Sequence, residues 1–179
     1  AAAANALCTV ADVKFEWGRP QADVTHDDRI QTIINKLSGR IEDWCGRKFI
    51  STVYTNESYD GEGDKCLPLK QYPIITLSAA SIDGVPLPIS DTTQFRAYMD
   101  EGYLWYAPGF RAAFPLGVLV TYTAGYATIP AGLQQACIEW CIIILEGRMK
   151  DAKVKQEEMR LAMPDQVMQA LQPYKRIDG

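Results

Sequence analysis

The longest regular pattern of apolar positions in the chain lies between residues 27 and 45. Apolar side chains recur there with the period of about 3.6 residues that places them on one face of an α-helix. Asp27 or Asp28 is expected to cap the helix start and to place negative charge at the positive end of its dipole, and Gly46 follows the segment, where a left-handed C-terminal cap is expected. The pattern predicts a helix over 27–45. Its apolar stripe consists of Ile30, Ile33, Ile34, Leu37, Ile41, Trp44 and Cys45.

Two short helices are predicted near the ends of the chain. Thr9 and Asp12 have the spacing of a capping box, and the helix that they begin is expected to end near Gly18. A second short helix is expected to begin at 163–165, with an apolar face formed by Val167, Met168 and Leu171. Pro173 ends it, because proline lacks the main-chain N–H that a continuing helix would need.

A fourth helix is predicted over 131–148, after Pro130. Its apolar side chains again follow the helical period, and they cover most of its circumference. Such a helix is buried, either in the core of one chain or between subunits. We therefore place Trp140 and Ile143 among the candidate subunit-interface residues. The segment 148–160 that follows is strongly charged.

The segment 51–124 has the alternating pattern and the β-branched and aromatic residues of strands. Three groups of turn residues interrupt it, at 60–64, at 83–84 and at 100–102. Each of the three predicts a tight reversal between antiparallel strands. In the first case the strand Lys65–Leu69 is expected to return along Thr52–Tyr59.

Together these elements predict an α+β fold. We expect a helical bundle with an inserted small antiparallel β-sheet, in a single domain that spans 1–179. The helical core is assigned to 1–50 and 125–179, and the β insertion to 51–124.

Composition narrows the possible functions. The chain has 179 residues, 47% of them hydrophobic, with a net charge of −4 and a pI near 5.0. Proteins that bind nucleic acid tightly cluster Lys and Arg on one surface, and this acidic chain does not suggest such a cluster. No apolar run reaches the roughly 18–20 residues that a membrane span needs, since the segment 136–145 is too short, and the opening alanines lack the pattern of a signal peptide.

The five cysteines are Cys8, Cys45, Cys66, Cys137 and Cys141. Their number is odd, and no CxxC pair occurs. Cys137 and Cys141 are one helical turn apart, so a metal or redox pair is an alternative, but no histidine accompanies them. We interpret them as core thiols that behave as small hydrophobic residues, in a protein that folds in a reducing compartment.

The sequence contains no common catalytic motif. Its one histidine, His26, precedes a helix start and is interpreted as a capping or surface residue. The acidic segment 60–64 lacks the closing glutamate of a calcium-binding loop, so a turn is the favoured interpretation. We predict no cofactor, no metal site and no enzymatic activity. A small enzyme built on Cys137 and Cys141 or on His26 remains the alternative.

Aromatic residues are concentrated in the β segment. They include Tyr103 and Trp105, in a neutral to acidic stretch of sequence. Aromatic platforms that stack single-stranded nucleic acid also need a basic groove. Sheet packing or a protein interface is therefore the favoured interpretation, and Tyr103 and Trp105 are the candidate interface residues of this segment.

Several short motifs occur in a particular order along the chain. They are Leu7-Cys8-Thr9-Val10-Ala11-Asp12-Val13-Lys14, Ile41-Glu42-Asp43-Trp44-Cys45-Gly46-Arg47-Lys48-Phe49, Val120-Thr121-Tyr122-Thr123-Ala124-Gly125-Tyr126 followed by Ile129-Pro130 and Gln135-Ala136, Met163-Pro164-Asp165 and Leu171-Gln172-Pro173-Tyr174-Lys175-Arg176. This ordered set resembles the head–tail connector proteins (adaptors, or head-completion proteins) of tailed bacteriophages and gene transfer agents. The resemblance spans nearly the whole chain. It departs at 149–162, where this chain is charged and relatives often carry a Ser/Gly-rich segment.

The resemblance implies a structural virion protein, made in the host cytoplasm and located in the neck. It implies a ring of twelve copies below the portal, which joins the DNA-filled head to the tail. The partners would be sister copies, the portal protein and a stopper or tail-completion protein, with no membrane. Genomic DNA would pass through the lumen without sequence-specific binding. The portal-docking residues would be Tyr174, Lys175, Arg176 and Ile177.

Two alternatives of other kinds stay open beside this interpretation. One is a different neck or tail-completion protein of the same particle. The other is a nucleic-acid-binding module, although its expected basic surface is missing from the sequence pattern.

Overall fold

The computed structural model describes residues 1–150 and 163–176. Ile177 and most of the charged segment 149–162 lie outside the described residues. The chain divides into a helical unit, Ala1–Gly46 with the described part of Ile129–Ile177, and a β unit, Arg47–Thr128. The helices are α1 (Val10–Glu16), α2 (Asp27–Cys45), α3 (Ala131–Lys150) and α4 (Asp165–Leu171). The strands are β1 (Thr52–Tyr59), β2 (Cys66–Pro68), β3 (Ile74–Ile82), β4 (Val85–Pro86), β5 (Phe95–Tyr98), β6 (Tyr103–Tyr106) and β7 (Val118–Ala124).

The capping box predicted at the start of α1 is confirmed. The Thr9 hydroxyl accepts a hydrogen bond from the main-chain N–H of Asp12 at 3.2 Å, and the Asp12 carboxylate accepts one from the N–H of Thr9 at 2.8 Å. These bonds satisfy two of the N–H groups that have no partner within the helix. The helix ends at Glu16, shortly before Gly18, whose φ of 68° is the left-handed conformation that glycine adopts readily.

The predicted bounds of α2 are also confirmed. The helix runs from Asp27 to Cys45, with Gly46 as the left-handed C-cap at φ 69°. The cap predicted at Asp27 or Asp28 was wrong, because His26 occupies the N-cap position and both aspartates lie in the first turn, where their charge suits the helix dipole. Six of the seven residues of the predicted apolar stripe are buried, and Trp44 is half-buried. The stripe packs against α3, since α2 and α3 are neighbours in the helical unit.

The helical unit buries apolar side chains from all four helices. The α3 side chains are apolar around most of the helix, as the sequence suggested, and Trp140 lies in this core at 1% exposure. The other core side chains from α3 and α4 are Leu133, Ala136, Cys137, Ile138, Cys141, Ile144, Leu145, Val167 and Leu171.

The β unit contains two antiparallel sheets. The larger sheet has four strands in the order β1-β7-β3-β4, and the smaller has three in the order β2-β6-β5. Their buried side chains form a separate hydrophobic core. The hairpins predicted at Asp83-Gly84 and at 100–102 are confirmed, because they join β3 to β4 and β5 to β6.

Two parts of the predicted fold were wrong. The protein is not a helical bundle with one small inserted sheet, because 51–124 forms two sheets with a core of their own. The reversal predicted at 60–64 does not pair β1 with β2, since β1 pairs with β7 and β2 with β6. The main chain of 61–63 instead exchanges hydrogen bonds with 110–112. Gly61 permits that approach, because a Cβ there would lie 2.6 Å from the Ala112 nitrogen.

Two of the sequence motifs meet where the chain enters and leaves the β unit. The Phe49 and Tyr126 rings stack with their centroids 6.5 Å apart, and the Tyr126 N–H donates to the Phe49 carbonyl at 2.7 Å. Gly125 precedes Tyr126 and has a φ of 114°. The main chain of Ile50 passes so close that a Cβ on Gly125 would be 2.6 Å from the Ile50 carbonyl oxygen. Only glycine fits this position without displacing main-chain atoms.

Candidate assembly surfaces

One face of the smaller sheet carries three half-buried aromatic side chains. Tyr98 lies opposite Tyr103 in the register of β5 and β6, and Trp105 lies opposite both Arg96 and Cys66. Directly opposed residues of an antiparallel pair point to the same side of the sheet. These five residues therefore share one face, which we call the aromatic face. Cys66 and Arg96 are exposed, and the three aromatic side chains are half-buried.

The aromatic face is held in place by stacking and by the core behind it. The rings of Tyr98 and Tyr103 stack with centroids 4.3 Å apart and an angle of 14° between their planes. Leu104, between Tyr103 and Trp105 in β6, points to the opposite side and is fully buried. An ordered aromatic surface loses little side-chain entropy when a partner covers it, so its geometry suits an interface.

A second candidate surface was not found from the sequence. The loop 107–117 between β6 and β7, which we call the Phe114 loop, exposes 71% of the Phe114 side chain. Its main chain is fixed at two points, because the Ala113 N–H donates to Asp83 at 2.7 Å and the Leu116 N–H donates to Asp60 at 2.9 Å. The signal that could have indicated this surface is the apolar stretch 114–116, which lies in a segment without the alternating pattern of a strand.

The two candidate interface residues of α3 differ in their exposure. Trp140 is buried at 1% exposure, whereas Ile143, one turn further along the helix, is 39% exposed. Only Ile143 offers apolar surface to another molecule. Trp140 lies within the packed core of the helical unit and contributes to the position of α3.

The described C-terminal candidates lie on the helical unit, where Tyr174 ends a 3-10 turn at Gln172–Tyr174 and Lys175 and Arg176 follow it. The Arg176 N–H donates to the Cys45 carbonyl at 2.8 Å, and the Lys175 ammonium lies 5.1 Å from the centre of the Trp44 ring. Tyr174 is half-buried, and its hydroxyl lies 2.9 Å from where a Cβ on Gly132 would be. The segment is thus fixed to the C-terminal end of α2 and the start of α3, while Lys175 is exposed.

The cysteines considered for chemistry lie in the core. Cys137 and Cys141 are fully buried, and a third thiol, Cys8, joins them, with its sulfur 3.6 Å from that of Cys137. Hydrogen bonds from the Cys141 and Cys8 thiols hold the pKa of Cys137 below its ordinary value. The sequence did not indicate Cys8, because 129 positions separate it from Cys137. His26 is exposed at the N-cap of α2 and makes no side-chain cap bond.

No helix within the described ranges 1–150 and 163–176 combines the length and the apolar character needed to cross a membrane.

Comparison with known families gives one match along most of the chain. The model of a family described as head completion protein (HCP) matches residues 6–144. No curated protein matches the chain at a significant level. The matched range includes α1, α2, the whole β unit and most of α3.

Comparison with solved structures gives matches to particle components. A chain from the neck of an empty gene transfer agent (GTA) particle, computed with C6 symmetry, matches with a TM-score of 0.66 at 18% identity. Chains from the neck of the native particle, computed with C12 symmetry, and from the native virion each match with a TM-score of 0.57 at 18% identity. Each comparison covers 100% of this chain and 94% of the other. At this identity the matches show a shared fold.

Proposed function

We propose that this chain, which belongs to the head completion protein family and is a structural head–tail connector of the virion neck, works as one subunit of a closed ring around the DNA channel. The observation that carries the proposal is the family match across residues 6–144. The shared fold with chains of a neck computed with C6 and C12 symmetry supports a ring of like subunits, which we take to have twelve copies. The partners on either side would be the portal protein and a stopper or tail-completion protein.

The aromatic face supplies one subunit contact in this proposal. Tyr and Trp are enriched at protein interfaces, because each buries a large apolar surface while its polar atom stays hydrogen-bonded. Tyr103 is already oriented by its stack with Tyr98, and the buried Leu104 lies between Tyr103 and Trp105 on the opposite side of the sheet. A sister subunit would complete the burial of rings that are half-covered in the single chain.

The Phe114 loop and Ile143 supply further apolar contacts. Phe114 is a large apolar side chain at 71% exposure on a main chain that Asp60 and Asp83 hold in place. Interfaces are dominated by a few anchor residues of this kind. Ile143 would make a smaller contact on α3, with the buried Trp140 supporting the helix from within.

The C-terminal segment is the proposed portal contact. Lys175 is exposed, and its position is set by Trp44 and by the hydrogen bond of Arg176 to Cys45. Tyr174 would contribute from its half-buried position, and Ile177 lies outside the described residues. Two neighbouring cationic side chains on a fixed main chain suit an acidic surface on the portal.

The chain needs no catalytic group for this function, and we propose none. DNA has to move through a connector without being retained, and the net charge of −4 opposes strong binding to phosphates. A gel shift of duplex DNA by the purified chain, lost as salt is raised, would instead indicate a nucleic-acid-binding module. A ring lumen lined mainly by Lys and Arg would also contradict a channel through which DNA slides without being retained.

Cys66 allows a direct test of the subunit contact. It is the exposed cysteine of the aromatic face, whereas Cys8, Cys45, Cys137 and Cys141 are buried. A maleimide reagent should therefore label Cys66 rapidly in the single chain and slowly in assembled necks. Equal labelling rates in the single chain and in the neck would contradict a subunit contact at this face.

Substitutions test which residues drive assembly. Phe114→Ser and Trp105→Ser should abolish ring formation on portal particles, scored by electron microscopy and by sedimentation of the chain with the portal. Phe15→Ser is the matched control, because Phe15 is 76% exposed on α1 and is not part of the proposed contacts. An equal loss with Phe15→Ser would show that exposed apolar area in general, and not these surfaces, drives assembly.

The portal contact needs a separate variant. Lys175→Glu combined with Arg176→Glu should weaken binding to purified portal while the helical unit keeps its thermal stability. Lys36→Glu reverses an exposed charge on α2 and serves as the control. Unchanged portal affinity in the double variant, or in a chain without 173–179, would remove the C-terminal segment from the proposal.

A further inference from the structure

Three buried thiols converge in the helical unit. Cys8 lies just before α1, and Cys137 and Cys141 are one turn apart on α3. Their sulfur atoms all lie within 4.8 Å of one another, and those of Cys8 and Cys137 are 3.6 Å apart. The side chains are 6%, 0% and 0% exposed, respectively. The cluster is therefore a triangle of sulfur atoms inside the helical unit, and Cys8 is its one slightly exposed member.

The spacing of the triangle matches sulfur atoms that share one metal ion. Sulfur ligands at about 2.3 Å from a metal lie roughly 4 Å from each other when three of them surround it. The observed separations need only small side-chain adjustments to reach that arrangement. A disulfide, by contrast, would require two sulfurs at about 2.05 Å and would leave the third thiol unused.

We propose that Cys8, Cys137 and Cys141 bind one soft, thiophilic metal ion of the Cu(I) class through three thiolates. Soft sulfur ligands select such ions over harder cations. Among the described residues, no fourth Cys, His, Asp or Glu side chain belongs to the cluster, which disfavours the four-ligand site of structural zinc. Each thiol releases its proton to solvent as its metal–sulfur bond forms, and no atom changes oxidation state.

The bound ion would fasten the segment before α1 to α3. That segment is already held to α2, because the Leu7 N–H donates to the Ser38 hydroxyl at 3.1 Å and the Asn5 side chain donates to Glu42 at 2.8 Å. Metal binding to the folded state alone raises the stability of the fold. The site is independent of the proposed surface contacts, since its three side chains are buried.

The first test measures metal uptake by the full chain. Reduced protein is titrated under anaerobic conditions with Cu(I) supplied by a competing bicinchoninate chelator, and the metal content and thiolate-to-metal absorption are recorded. We expect one Cu(I) per chain and a higher thermal midpoint. Cys141→Ala and Cys8→Ala should lose the tight site, whereas Cys45→Ala and Cys66→Ala should keep it. No uptake, or equal losses in all four variants, would overturn the proposal.

The second test needs no variant, so a folding defect cannot obscure it. The unaltered chain is alkylated in mild denaturant with and without Cu(I), and each cysteine is followed by mass spectrometry. Cu(I) should slow alkylation of Cys8, Cys137 and Cys141 much more than that of Cys45, which is buried at 1% exposure in the same helical unit and reports only the general stabilisation of the fold. Equal protection of Cys45 contradicts a specific site. A Cys8–Cys137 disulfide in the purified chain, with no metal uptake after reduction, contradicts it as well.

Discussion

The guanidinium group of Arg47 donates a hydrogen bond of 3.2 Å to the hydroxyl of Tyr126, although 79 positions separate the two residues. Arg47 is 4% exposed, donates also to the Tyr72 carbonyl at 3.1 Å, and lies 4.1 Å above the centre of the Tyr72 ring. Arg47 and Tyr126 belong to two of the short motifs on which the family resemblance rests. In the structure they close the β unit where the chain enters and leaves it.

Arg47→Lys should therefore destabilise the β unit. Lysine keeps the charge but cannot make both hydrogen bonds and the flat stacking contact from one position. We expect a loss of about 2 kcal/mol in the free energy of unfolding, measured by urea denaturation followed by tryptophan fluorescence. Arg96→Lys, at an exposed position on the aromatic face, should change stability by less than about 0.5 kcal/mol. Equal effects of the two substitutions would contradict the assigned role of Arg47.

The raised pKa of Tyr122 should make the stability of the fold fall at alkaline pH. Burial, together with hydrogen bonds to Glu57 and Tyr59, raises the pKa of Tyr122 above its ordinary value of 10.0. The folded protein then keeps a proton that the unfolded chain releases above pH 10.0, so stability is full below that pH and falls as pH rises beyond it. The fall should be visible in urea denaturation series on either side of pH 10.0.

Tyr122→Phe should make that alkaline fall shallower. The variant removes one titrating group, while Tyr59, whose pKa burial also raises, remains. At neutral pH it should cost about 1–2 kcal/mol, because the Tyr122 hydroxyl no longer donates to the Glu57 carboxylate at 2.5 Å. Parallel stability curves for the variant and the unaltered chain above pH 10.0 would show that Tyr122 does not contribute to the linkage.

Two glycines in and after α2 should respond to alanine with opposite signs. Gly46 is the C-cap at φ 69°, so Gly46→Ala should cost about 1 kcal/mol. Gly39 lies inside the helix, and a Cβ added there would have nothing within 4 Å, so Gly39→Ala should stabilise by roughly 0.5–1 kcal/mol. Thermal denaturation followed by circular dichroism measures both. The same sign for the two variants would refute the assigned helix boundary.

The helical unit also contains a buried cation. The Lys14 side chain is 4% exposed and forms an ion pair with Asp27, which is 34% exposed. Asp27→Asn leaves the ammonium group without its counter-charge and should cost about 2 kcal/mol. Lys14→Met removes the charge itself and should cost less. Denaturation of both single variants and of the double variant gives the coupling energy, and a value near zero would contradict a stabilising pair.

The sequence was sufficient for elements that local interactions determine. The 3.6-residue period and the caps at Thr9 and Gly46 gave α1 and α2 their correct positions, because those contacts join residues at most a few positions apart. The Asp83-Gly84 turn was correct for the same reason, since both residues adopt positive φ. The family resemblance, carried by the order of short motifs, agrees with the family match.

The same local patterns could not show which distant strands pair with each other. β1 pairs with β7 and not with its nearest neighbour β2, and alternation within one strand says nothing about which other strand will receive its hydrogen bonds. The Phe114 loop was missed because its exposure depends on two aspartates, Asp60 and Asp83, that precede it by many positions. Trp140 was predicted as a candidate subunit-interface residue, and in the single chain it is buried at 1% exposure, because a helix that is apolar on most sides does not reveal which side its neighbours cover.

The sequence by itself determined the bounds of α2, the capping box of α1, the turns at 83–84 and 100–102 and the acidic net charge. The tertiary structure alone decided that 51–124 is a two-sheet unit, that Arg47 meets Tyr126, and that Cys8 joins Cys137 and Cys141. The physical reason is the range of the interactions. Capping and helical periodicity act over one or two turns, whereas sheet order and side-chain clusters depend on how the whole chain folds back on itself.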